Sequence, residues 1–130
     1  MVRALRVALF AYGVIGLIIG LVALVFPDQM SEVFRFKETT DDIIVLSAVT
    51  GTFSIATGFW IIVAGRDPLR NIYWVKLVIT KAILAVVVAV YLIVRGYSDF
   101  NQIGSMIIID GIFAVAFLIL YPWRAASINE

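Results

Sequence analysis

Lys81 and Asp110 are the two ionisable side chains that lie well inside long apolar runs of the sequence, and any chemistry starts with them. A charge near the centre of a membrane helix is costly, so it faces a partner, a water-filled cavity or another subunit. Three arrangements are open for the two. In one, they form a structural ion pair or hydrogen-bonded pair that orients the third and fourth apolar segments, each charge offsetting the other's desolvation. In another, they form a proton- or ion-responsive site, because burial disfavours both charges while pairing favours both. In the last they do not touch, Lys81 snorkelling toward the headgroups and Asp110 turning to a partner subunit. Tyr12, Thr50, Thr57 and Thr80 are hydroxyls that could line the same interior, although a hydroxyl in a helix commonly bonds a carbonyl one turn back.

Other chemistry is narrowed by what is missing. The chain has no His and no Cys, which removes the usual ligands of haem and structural zinc, every disulfide and every thiol nucleophile, and no metal site is expected. No nucleophile–base pair is available, because the deep acid stands opposite a lysine. Catalysis by this chain alone is not expected.

The elements that must hold these residues follow from composition. Of the 130 residues 63% are hydrophobic and 15% charged, with a mean hydropathy of +1.08; a soluble domain carries roughly 45–50% apolar and about 25% charged residues. A soluble globule would have no polar surface left to cover its core. A hydrocarbon core of about 30 Å needs roughly 20 apolar helical residues to cross it. Segments 7–26 and 43–65 carry no charge at all, 72–94 contains Lys76 and Lys81, and 103–121 contains Asp110. The expected fold is all-α: one membrane domain, a four-helix bundle with helices over about 5–26, 43–64, 68–95 and 103–122. The third span is the marginal one. Its fourteen Leu, Ile and Val residues favour insertion by about 4–8 kcal/mol, against about 2.5–3.5 kcal/mol for a central lysine. Lys76, one turn from the end, can snorkel. If that helix starts near Ile72, Lys81 is about 13 Å deep and Asp110 about 10 Å in from the opposite face, so about 6 Å of depth separates them, within reach of a lysine stem.

Sorting bases by side sets the orientation. Arg3, Arg6, Arg66, Arg70, Lys76 and Arg124 fall on one side, Arg35, Lys37 and Arg95 on the other, which places both termini in the cytoplasm by the positive-inside rule. Six of the nine acids, Asp28, Glu32, Glu38, Asp41, Asp42 and Asp99, fall outside. Trp60, Trp74 and Trp123 belong to the cytoplasmic interface, and Arg66, Arg70 and Lys76 suit anionic lipid headgroups there. A secretory signal peptide is the competing description of the first segment, but its twenty uncharged residues exceed a 7–15-residue apolar region and no small-x-small cleavage site precedes Pro27. The expected location is a bacterial or archaeal plasma membrane, crossed several times.

The connections have their own signals. Gly65-Arg66-Asp67-Pro68 reads as a C-terminal glycine, a capping Asp and a first-turn Pro, giving a tight antiparallel hairpin of the second and third spans. In the first outer loop Met30, Val33 and Phe34 recur at helical spacing behind Asp28, so residues 28–37 are expected as a short interfacial helix. The connection at 95–102 is short and polar. Small residues mark packing faces, since lipid supplies no hydrophobic drive between helices. Gly13, Gly16, Gly20 and Ala23 share one stripe of the first span, and Ser47, Gly51, Ser54 and Gly58 one stripe of the second. These stripes are expected to meet, the alternative being a homodimer seam or a docking face.

The first span lacks the membrane-embedded Glu of small multidrug transporters, the first half lacks the Gly-rich, Arg-ending motif of fluoride channels, and the second span lacks the Arg/Glu/Asn pattern of small glutathione-linked membrane enzymes. The Gly-rich first span ending in Phe26-Pro27-Asp28, the small-residue second span and the Arg66-Asp67-Pro68-Leu69-Arg70-Asn71 turn, in a chain of about this length, resemble DoxX-like four-helix bacterial membrane proteins. The resemblance implies a small membrane subunit that accompanies a redox or other complex, with quinone-linked roles in some relatives, and it carries no site residue over. The expected function is thus an accessory, structural or assembly subunit of a larger membrane complex. Two alternatives stand beside it: a small ion- or proton-coupled transporter or channel using Lys81 and Asp110, and a lipid- or quinone-binding protein with a cleft lined by Tyr12, Trp60 or Trp74. The expected partners are membrane lipid and other membrane subunits or a second copy, not nucleic acid.

Overall fold

The computed structural model describes residues 2–33 and 40–123. Five helices follow one another: α1 (Val2–Val25), α2 (Pro27–Val33), α3 (Asp41–Arg66), α4 (Ile72–Val94) and α5 (Phe100–Leu120). All regular structure among the described residues is helical, and α1, α3, α4 and α5 are long and apolar enough to cross a membrane. The short α2 falls on the loop expected to be helical over 28–37; residues 34–37 of that stretch, with Phe34, Arg35 and Lys37, lie outside the described residues, as do Glu38, Arg124 and Glu130 of the charge count.

Local chemistry sets the helix ends. At the start of α3 Thr40 is extended (φ −103°, ψ 160°) and its Oγ1 accepts from the Ile43 amide, which satisfies one of the first-turn donors. At the start of α5 Asp99 and Gln102 form a reciprocal capping box: Asp99 Oδ1 accepts from the Gln102 amide at 2.9 Å, and Gln102 Oε1 accepts from the Asp99 amide at 3.1 Å. The end of α4 is closed by Gly96, whose φ of +73° suits a residue without a Cβ. Its amide donates to Ile93 O and that of Tyr97 to Leu92 O, both at 3.0 Å, the two-bond Schellman closure.

The turn between α3 and α4 differs from expectation. The helix expected over 68–95 begins at Ile72, and Gly65 lies inside α3 rather than just past its end. Pro68 disfavours helical geometry at the residue before it, so Asp67 (φ −142°, ψ 85°) ends α3 one residue beyond Gly65. Asp67 does cap, its Oδ1 accepting from the Arg70 amide at 3.2 Å, but only a single turn. Asn71 then leaves helical geometry (φ −106°, ψ 35°), its side-chain amide donating back to Asp67 O at 2.9 Å.

The four long helices pack as two close pairs, α1 with α3 and α4 with α5. The first pair is a glycine contact in both directions. A Cβ on Gly20 would lie 2.8 Å from Gly51 O, and one on Gly51 2.7 Å from Gly20 O; Gly13 and Gly58 answer each other the same way, at 2.9 and 2.8 Å. Only hydrogen fits there, which is how small residues let helix backbones approach where lipid offers no hydrophobic drive. Ser54 Oγ adds a bond to Gly16 O at 2.8 Å, while Ser47 is half-buried. Gly65 serves the same seam, its missing Cβ leaving 3.3 Å to Leu9 Cβ.

The pairs join through a core near the end that holds the start of α1 and α4 and the end of α3 and α5. Leu5, Leu9, Ile61, Val75, Val78 and Phe117 meet there. Trp60 of α3 stacks on Trp74 of α4 with centroids 5.4 Å apart and planes 7° from parallel. Elsewhere the outer faces are apolar: Val45, Phe53, Val87, Ile112 and Ile119 are all more than half exposed, as suits helices solvated by lipid.

Candidate functional site

Tyr12, Lys81 and Asp110 each sit near the middle of their helix, α1, α4 and α5, and the fold brings them together. Leu5, Leu9 and Tyr12 recur at i, i+4 and i+7 and so share one face of α1, beside the glycine stripe that faces α3. With the glycines pressed on α3, this face is turned inward, and Tyr12 is 4% exposed. Its ring is wedged by Phe113 at 4.8 Å and Phe117 at 5.5 Å, the latter edge-on, an arrangement aromatic quadrupoles favour.

The Tyr12 hydroxyl is the centre of the site. It donates to Asp110 Oδ1 and accepts from Lys81 Nζ at 3.2 Å. The ammonium also stands 4.8 Å from the Tyr12 ring centroid, within range of an attractive cation–π contact. No carboxylate among the described residues lies within salt-bridge distance of Lys81. The two charges are therefore linked by way of a tyrosine hydroxyl rather than directly. By depth along their own helices Lys81 and Asp110 are about 6 Å apart; Tyr12 of α1 supplies a side chain that reaches both. A phenol can donate to one oxygen while accepting from one nitrogen, so a single hydroxyl ties three helices.

The remaining residues singled out from sequence take other places. Thr57 Oγ1 donates to Phe53 O at 2.8 Å and Thr80 Oγ1 to Lys76 O at 3.0 Å, each one turn back. Thr50 and Thr80 are exposed on the outside of the helices, so the set of interior hydroxyls contracts to Tyr12 and the half-buried Thr57. Trp60 and Trp74 stack on each other. Arg66 and Arg70 are exposed at one end of the bundle, and Lys76 Nζ lies 5.7 Å from the Tyr73 ring centroid.

Two features escaped the sequence. One is Tyr121, 3% exposed, whose Oη has no hydrogen-bond partner among the described residues; no spacing signals this. The other is a groove of about 660 Å³, open along its side and lined by Leu77, Thr80, Lys81, Leu84, Ala85 and Val88 of α4 with Met106 of α5. The α4 positions recur at three and four residues, a stripe readable in principle, but Lys81 drew it into the interior account instead. Among the described residues no group of three His, Cys, Asp or Glu side chains comes together to hold a metal.

Comparison of the chain with family models, with curated proteins and with solved structures found no match.

Proposed function

We propose that this chain is a small, non-catalytic, multi-pass subunit of a bacterial or archaeal plasma membrane, with both termini cytoplasmic, that serves as an accessory or assembly partner of a larger membrane complex, a redox-linked one among the candidates. The observation that supports this reading is the Lys81–Tyr12–Asp110 chain. The polar groups at mid-depth are engaged with one another across α1, α4 and α5, and such a tie fixes one helix arrangement. A fixed arrangement offers other membrane subunits a constant apolar surface to pack against.

Purification from native membranes in mild detergent tests the proposal. The chain is expected to elute with a larger assembly whose other members mass spectrometry identifies; a monodisperse chain without partners overturns it. Asp110→Asn separates this reading from a transporter built on the same residues. As a structural tie, the substitution lowers accumulation of the protein, whereas a transporter would accumulate normally and lose transport.

A further inference from the structure

We propose that Arg6 and Arg66 clamp the phosphate of an anionic phospholipid at one end of the α1–α3 seam, with an acyl chain lying along the outer flank of that seam. This goes beyond the accessory role and does not depend on it.

The sequence groups Arg66 with Arg70 and Lys76, and the fold adds Arg6 of α1. A Cβ on Gly65 would lie 3.5 Å from Arg6 O and 3.3 Å from Phe10 Cδ2, so the backbone of Arg6 runs beside the last turn of α3. Both arginines are exposed. Neither guanidinium has an ion-pair partner among the described residues, and the acid described at this end, Asp67, has its Oδ1 engaged by the Arg70 amide. Two cations on adjacent backbones repel, and an anion between them offsets that repulsion. Arginine suits phosphate in particular, because its planar fork donates two parallel N–H bonds.

Depth and flank both fit a lipid. Arg6 directly precedes the uncharged run 7–26 and Arg66 directly follows the run 43–65, which puts the pair at headgroup level. On α1, Arg6, Phe10 and Leu17 recur at i, i+4 and i+11 and share a face; on α3, Ile55, Ile62 and Arg66 do so at i, i+7 and i+11. These residues border the glycine contact: Leu17 lies against Gly58, Ile55 against Gly20 and Ile62 against Gly13. Leu5, Leu9, Tyr12 and Ile61 take the opposite flank, in the core, so the strip leading from the arginines is on the outside. Its four apolar side chains are half-buried. From Arg6 to Leu17 the strip runs about 16 Å, the depth of one leaflet of a hydrocarbon core of about 30 Å. An acyl chain can follow it while the phosphate stays on the arginines. Net charge selects the headgroup: the choline of a zwitterionic lipid brings a cation back to a site that already holds two, and a phosphatidylglycerol headgroup does not.

The test uses the full chain in nanodiscs with spin-labelled phosphatidylglycerol, and spin-labelled phosphatidylcholine for comparison. The motionally restricted fraction is expected to favour phosphatidylglycerol in the native protein. Arg6→Gln and Arg66→Gln each lower that preference by about fivefold, the attraction of one basic residue for an anionic lipid surface. Arg95→Gln removes the same charge at the far end of α4 and leaves the preference unchanged. All three side chains are exposed, so the variants are expected to fold. No preference in the native protein overturns the proposal, and so does an equal loss in Arg95→Gln, which would make net charge the cause. A photocrosslinker at Phe10 that captures a protein instead of lipid in native membranes overturns it as well.

Discussion

Replacing Tyr12 by Phe removes one oxygen and leaves the ring between Phe113 and Phe117 in place. The lost oxygen is the shared partner of Lys81 and Asp110. Interhelical hydrogen bonds in membranes are worth about 0.6 kcal/mol on average and up to about 1.7, so Tyr12→Phe, which breaks two, is expected to lower stability by about 1–2 kcal/mol. Reversible unfolding in mixed SDS micelles measures this, and an unchanged midpoint refutes the bridge as a stabilising element. Tyr121→Phe is the opposite case. No bond is lost, because Tyr121 Oη has no partner among the described residues, and relief of a buried unpaired hydroxyl is neutral or stabilising by up to about 1 kcal/mol. The contrast also shows how far residues could be read ahead of structure. Lys81 and Asp110 stand out because a charge in an apolar run is rare and expensive. Tyr12 did not stand out from Thr50, Thr57 and Thr80, since tyrosine suits lipid, interface and core alike. Only the rotation of α1 about its axis separates them, and the Leu5, Leu9, Tyr12 spacing beside the glycine stripe carried that information.

Helix contacts depend on atoms that are absent. Gly20→Val would place carbon within 2.8 Å of the Gly51 carbonyl and Ile55 amide, backbone that cannot swing aside, so α1 and α3 must separate. A loss of more than about 2 kcal/mol follows, in line with overpacked cores. Gly16→Ala is expected to be silent, because its Cβ would rest 3.6 Å or more from every neighbour, an ordinary contact distance. Thermal melts of the two variants in detergent decide the matter; equal effects would mean the α1–α3 seam is looser than described. Small-residue stripes survive into structure because three-and-four spacing fixes a face whatever the neighbours do. The Asp67–Asn71 turn was less legible. Gly65 and Pro68 are both breakers, and their order alone does not tell which ends α3 or that Asn71 delays α4 to Ile72. The Asp99–Gln102 box is a short-range signal of the kind sequence does carry.

At the scale of the whole chain, the proposed orientation predicts that a fluorescent reporter fused after Glu130 reads as cytoplasmic and one inserted after Tyr97 does not. The reverse pattern would invert the bundle. That there are four long apolar helices was legible, since 63% apolar composition with clustered charges leaves few other solutions; the pairing of spans was less so, because it turns on which faces are narrow enough to touch. The tyrosine bridge also has a meaning in time. The glycine seam of α1 and α3 and the capped turn from α4 to α5 each join consecutive spans, so either pair can close soon after its second member leaves the ribosome. Tyr12 and Asp110 are 98 positions apart, and synthesis runs from the N-terminus. Their bond waits for the last span to enter the bilayer, which makes it a sign of completed insertion: a chain truncated before α5 keeps Tyr12 and Lys81 but holds an uncompensated charge in lipid, the kind of defect by which membrane quality control can recognise an unfinished product.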